Sequence, residues 1–230
     1  RILGPDHPDT LASRGNLAGA YESAGRLDEA IDLLEQNLSD RLRILGPDHP
    51  DTLTARNNLA SAYKSAGRLD EAIDLLEQNL TDHERILGPD HPRTLISRNN
   101  LAGSYREAGR LDEAIDLYER NLDDGLRILG PDHPYIFSSR SNLAGAYESA
   151  GRLDKAVPLF ERTLADRERV LGPDHPDTLT ARNNLAGAYH AAGRLDEAID
   201  LLEQSLTDRA RVLGPDHPDV LGARNNLASA

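Results

Sequence analysis

Residues 43–84 read RILGPDHPDTLTARNNLASAYKSAGRLDEAIDLLEQNLTDHE, and residues 169–210 match them at 35 of 42 positions. Within this stretch lies Gly-Pro-Asp-His-Pro, which begins at Gly4, Gly46, Gly88, Gly130, Gly172 and Gly214, always 42 residues apart. Twelve of the 13 prolines belong to these six copies, so the helix breakers punctuate a repeat and do not signal disorder. Working outward, the chain divides into repeats 1–42, 43–84, 85–126, 127–168 and 169–210, with a partial sixth at 211–230.

One repeat encodes two helices. After Pro50, the residues Leu53, Leu59, Ala60, Tyr63 and Ala66 recur at helical spacing, with Asp48 or His49 placed to cap the start. Gly67 is placed for a left-handed stop. A second apolar stripe runs through Leu69, Ala72, Ile73, Leu76 and Leu80 as far as Ile86 and Leu87, where Gly88-Pro89 ends it. The pattern predicts an antiparallel pair of about 17 and 19 residues, roughly 25 and 28 Å long. Neither helix can bury its stripe alone, so consecutive pairs must stack. The expected fold is all-α, a right-handed solenoid of five full repeats and a half, forming a single array over 1–230. Its inner, concave surface would be lined by the first helices. Pro158, outside the pentapeptide, falls early in a second helix, where its missing amide costs little.

Composition narrows the function. With 26 basic and 39 acidic residues the net charge is −13, which argues against nucleic acid or an anionic membrane as a partner. The absence of cysteine excludes disulfides and thiolate chemistry. No stretch approaches the roughly 20 apolar residues of a membrane span, and no signal peptide opens the chain, so a cytoplasmic setting is expected. The lack of any methionine suggests a piece of a longer polypeptide. Six of eight histidines are linker residues, and equivalent linkers on helices about 8–10 Å apart cannot share an ion bound at about 2 Å. No recurrent serine accompanies the Asp-His pairs, and the Ala-Gly-Arg turns lack the lysine of a phosphate loop. Neither catalysis, a metal nor a cofactor is expected.

The pattern resembles the tetratricopeptide repeat. In the first repeat that family's signature falls on Leu17, Ala18, Tyr21, Gly25, Ala30 and Leu34, and the register holds in later copies. The 42-residue period, the Leu-Gly-Pro-Asp-His-Pro linker and Asn-Asn-Leu-Ala resemble the longer variant of kinesin light chains. Similar arrays occur in bacterial proteins, often downstream of a signalling ATPase. Two departures stand out. Arginine replaces an early aromatic at Arg14, Arg56, Arg98, Arg140, Arg182 and Arg224, and polar Asn37, Asn79, Asn121, Thr163 and Ser205 replace a late alanine. The arginines are expected to lay their stems on the stripe and pair with carboxylates, a structural role favoured over ligand binding.

The resemblance implies a protein-interaction scaffold that holds an extended peptide along the inner groove. Carried over by register, one contact position is Asn57, Asn99, Asn183 and Asn225, interrupted by Gly15 and Ser141. The next is asparagine throughout: Asn16, Asn58, Asn100, Asn142, Asn184 and Asn226. Carboxamides both donate and accept, so such a ladder could read a peptide main chain. Alternatively they tie adjacent helices together. One turn along lie Gly19, Ser61, Gly103, Gly145 and Gly187, which keep the face open. Further down the face the copies diverge, with Lys64, Arg106 and His190 as the basic members. Lys64 and Arg106 together would favour an acidic residue in the ligand, unless they are merely solvated. Two rival readings are the sensor array of an ATPase whose motor lies elsewhere, and end-to-end self-association through apolar surface around Ile2, Leu3, Leu221 and Leu227.

Overall fold

A computed structural model describes residues 4–214 and 220–222. Ten helices cover most of this span: α1 (Pro8–Ser23), α2 (Leu27–Leu45), α3 (Pro50–Ser65), α4 (Leu69–Leu87), α5 (Pro92–Glu107), α6 (Leu111–Leu129), α7 (Pro134–Ser149), α8 (Leu153–Leu171), α9 (Pro176–Ala191) and α10 (Leu195–Leu213). Each first helix has 16 residues and each second helix 19. No strand occurs among the described residues. The chain forms two compact units, 1–110 and 111–230, each a run of five described helices in which every helix packs on its chain neighbours within the unit. This is the all-α solenoid architecture that the period requires.

The punctuation works as residue chemistry dictates. His49 is the N-cap of α3: its backbone is extended, and Nδ1 accepts from the Asp51 amide at 3.1 Å. The other described linker histidines cap in the same way. Pro50 opens the helix, where a missing N–H leaves no bond unmade. Gly67 ends it with φ +73°, a left-handed conformation that costs glycine little. Asp48, the other candidate cap, is taken by Arg85 at the end of α4. The same clamp joins Arg43 to Asp6, Arg169 to Asp132 and Arg211 to Asp174, so each of these second helices grips the linker at the start of its own repeat. Pro158 lies within α8, whose helical span runs unbroken from Leu153 to Leu171.

The core explains the polar departures. Leu53, Leu59, Ala60 and Ala62 of α3 are buried with Ala72, Ile73 and Leu76 of α4, and the pattern recurs downstream. Within it Arg56, Arg98, Arg140 and Arg182 are buried and paired, and Arg14 is half-buried and paired. Arg56 Nη1 lies 2.7 Å from Asp82 Oδ2, Arg140 2.7 Å from Asp166, and Arg182 contacts both Asp208 and Glu168. Arg14 pairs with Asp40 and Arg98 with Glu84. The expected pairing with carboxylates therefore occurs in all five described copies; Arg224 lies outside the described residues. Successive repeats are also joined by tyrosines. Tyr63 Oη donates to Glu35 at 2.6 Å, and Tyr105, Tyr147 and Tyr189 reach Glu77, Glu119 and Glu161. Burial, reinforced by that carboxylate, pushes the Tyr63 hydroxyl up to about 12.

Candidate functional site

A first helix is packed on both flanks. In α3, Thr52, Leu53, Ala55, Arg56, Leu59, Ala60, Ala62 and Tyr63 are all buried, because α2 covers one side and α4 the other. What remains is a narrow open stripe: Thr54, Asn58 and Ser61 are exposed, flanked by half-buried Asn57 and Lys64. In unit 2, α9 presents Thr180, Asn184, Gly187 and His190 in the same way. The register therefore places most of the expected contact residues on open or partly open surface.

Their partners differ. Asn100 of α5 donates from Nδ2 to Oδ1 of Asn57 in α3 at 3.1 Å, so these two carboxamides tie one repeat to the next. Asn58 has Gly15 at the matching place in the preceding repeat, and Asn184 has Ser141. Neither Asn58 nor Asn184 has a side-chain hydrogen bond among the described residues, and both are exposed, as is Asn16. Asn183 is half-buried and accepts from Ser205 Oγ at 2.9 Å. Asn99 and Asn142 are half-buried, while Asn226 lies outside the described residues. Lys64 Nζ is 3.1 Å from Glu107 Oε1, so its charge is already matched within unit 1. Arg106 is half-buried with no carboxylate partner among the described residues.

A second set of residues escaped the sequence reading. Between consecutive repeats, one position near the end of a second helix meets one at the start of the next first helix, ten residues on. At α2 and α3 the pair is Arg41 and Asp51, 3.3 Å apart. At α8 and α9, Arg167 donates to the Asp177 carbonyl at 2.8 Å. At α6 and α7 the positions hold Gly125 and Tyr135; a Cβ on Gly125 would lie 3.0 Å from Ile136 Cδ1 and 3.6 Å from the Tyr135 ring. That ring carries the hydroxyl to which Asn121 Nδ2 donates at 2.6 Å. At α4 and α5 the pair is His83 and Arg93, two basic residues. Comparing the repeats column by column for paired changes would have exposed this series.

The His83 joint is also the place where space opens. A cleft of about 140 Å³ lies between α3, α4 and α5, walled by Pro50, Leu53 and Ile96 and edged by Asn57 and Asn100. His83 is buried and its Nδ1 lies 2.9 Å from the Asn79 carbonyl. Burial, partly offset by that carbonyl and reinforced by the nearby Arg93, holds the imidazole below its ordinary value and favours the neutral ring. Asn79 Oδ1 and Ser97 Oγ, both buried, have no hydrogen-bond partner among the described residues. No metal-binding cluster occurs among the described residues, and no described helix is long and apolar enough to cross a membrane.

Comparison with known proteins agrees with this geometry. The tetratricopeptide repeat family model matches residues 1–39, 15–81, 55–123, 99–168 and 135–210. A crystal structure of kinesin light chain-like, nearly identical TPR-like repeats from Podosopora anserina superposes with a TM-score of 0.81 at 34% identity, covering 93% of this chain and 99% of that one. BtubC (BKLC) from P. vanneervenii gives 0.76 at 25% identity, covering 91% of this chain and 83% of that one. Among curated sequences, Protein KINESIN LIGHT CHAIN-RELATED 2 of Arabidopsis thaliana is 58% identical over 38 residues, 16% of this chain and 6% of that protein. The chain thus matches only a small fraction of that relative's length.

Proposed function

The chain belongs to the tetratricopeptide repeat family, and on that premise we propose that it is a scaffold holding an extended segment of a partner protein across the open stripes of its first helices. The observation that carries this reading is the pair of exposed, unpartnered carboxamides at Asn58 and Asn184, each beside a small residue, Ser61 or Gly187. Carboxamides held on rigid helices offer a donor and an acceptor to a main chain with little ordering cost. Arg106, more than the paired Lys64, is the cation left for an acidic side chain of that segment. No catalysis is assigned to it.

The test is capture of partners from a lysate of the source cells with the wild-type chain and with Asn58→Ala/Asn184→Ala. Loss of specific partners in the variant supports the reading; full retention overturns it. The rival reading of end-to-end association rests on Ile2, Leu3, Leu221 and Leu227, of which Ile2, Leu3 and Leu227 lie outside the described residues.

A further inference from the structure

The ionisable side chains lining the α3–α4–α5 cleft are Arg93 and His83, with no carboxylate among them, although the chain as a whole carries −13. The reason is visible in the joint series. Where Asp51 faces Arg41, and where Asp177 sits beside Arg167, the chain supplies the acidic member itself. In the α4/α5 joint Arg93 takes the aspartate's place and His83 the arginine's. Arg93 has no ion pair among the described residues. Asp82, one residue before His83, is committed to Arg56 and Arg85.

We infer that this cleft is a subsite for one acidic side chain, glutamate or aspartate, of a bound partner segment, seated between Arg93 and His83. Apolar Leu53 and Ile96 accommodate the methylene stem, and the Ser97 hydroxyl, buried without a partner, donates to the carboxylate. Charge-assisted bonds from arginine are the strong ones, so discrimination of carboxylate from amide resides mainly at Arg93. This rests on the scaffold reading above and specifies its ligand; it adds a site separate from Lys64 and Arg106, which lie further along the open face.

The test uses two decapeptides blocked at both ends, rich in serine and alanine, with a single central glutamate or glutamine, titrated by NMR. The glutamate peptide should bind roughly tenfold tighter than its glutamine twin, perturb the Arg93 guanidinium and raise the His83 titration midpoint. Arg93→Asp should abolish the discrimination while leaving the fold intact, since aspartate is the native residue at this place in α3 and α9. Arg68→Gln, at an exposed arginine bonded to Glu71 outside the cleft, should leave it unchanged. Equal binding of both peptides, with asparagine signals shifted, overturns the subsite and leaves the scaffold reading standing. Discrimination that persists in Arg93→Asp, or that is lost in Arg68→Gln, overturns it equally. Binding of neither peptide overturns both.

Discussion

Asn100 Nδ2 donates to Asn57 Oδ1 across 3.1 Å, so two residues that sequence register assigns to a ligand are bonded to each other. Asn58, one residue along from Asn57, has no such partner. Asn57→Ala should therefore lower stability by about 1 kcal/mol, while Asn58→Ala stays within about 0.5 kcal/mol of wild type. Urea denaturation of the two variants checks this, and partner capture should show the opposite ranking.

Buried arginine pairs and exposed ones should separate sharply. Removing the fully buried guanidinium of Arg140 breaks its bond to Asp166 and leaves that carboxylate only the exposed Arg169 and Arg162, and Arg140→Ala is expected to cost about 2 kcal/mol. Arg85 makes a shorter contact with Asp48, yet both side chains are more than half exposed, and Arg85→Ala should have only a small effect. Equal losses in chemical denaturation would contradict this ordering.

Replacing His49 by alanine removes the side-chain acceptor that caps the start of α3 and should cost about 1 kcal/mol, with His49→Asn restoring most of it. Amide exchange at Asp51 reports directly, because its N–H is the capped donor; protection there should fall in the alanine variant first.

Acid should act in two stages. Hydrogen bonds from Arg14 and Arg43 hold the Asp40 carboxyl below its ordinary 3.8; at Asp82 and Asp166 burial opposes the same arginine effect but does not overcome it. Stability from these pairs is complete above about pH 4 and is lost as the pH falls through the lowered folded values. His83 titrates earlier. Its folded value lies below 6.5, so the folded state binds fewer protons than the unfolded one, and stability begins to decline as the pH drops below 6.5. His83→Gln should abolish the first decline and leave the second, as followed by circular dichroism across pH.

Much of the fold was legible because glycine and proline constrain the backbone locally. Gly88-Pro89 stops α4 and Pro50 starts α3 whatever surrounds them, so helix boundaries followed from the linker alone. The division of labour inside the linker was not legible. Asp48 and His49 are both plausible caps, and only the reach of Arg85 from the far end of the repeat decides between them. The arginine excess, 24 of 26 basic residues, likewise had no explanation in sequence. Its source is geometric: Arg43 bridges Asp6 and Asp40, and Arg85 bridges Asp48 and Asp82, which a planar fork of donors does and an ammonium does poorly. At the candidate site, register identified the open stripe but could not distinguish bonded Asn57 and Asn100 from free Asn58. That distinction depends on Gly15 in the preceding repeat, a residue whose effect is the side chain it lacks.

The paired positions that meet across each joint bear on how such a gene can change. Near-identical repeats invite unequal crossing-over, and the invariant linker is the natural place for strands to misalign. A crossover there would join the end of one repeat to the start of another, setting Arg41 against Arg93, or placing Tyr135 against an arginine where Gly125 had left it room. A crossover inside a helix keeps each pair together. Each joint therefore records which neighbour a repeat was fitted to, so that a unit moves without disturbing its seam only when both residues of the pair move with it.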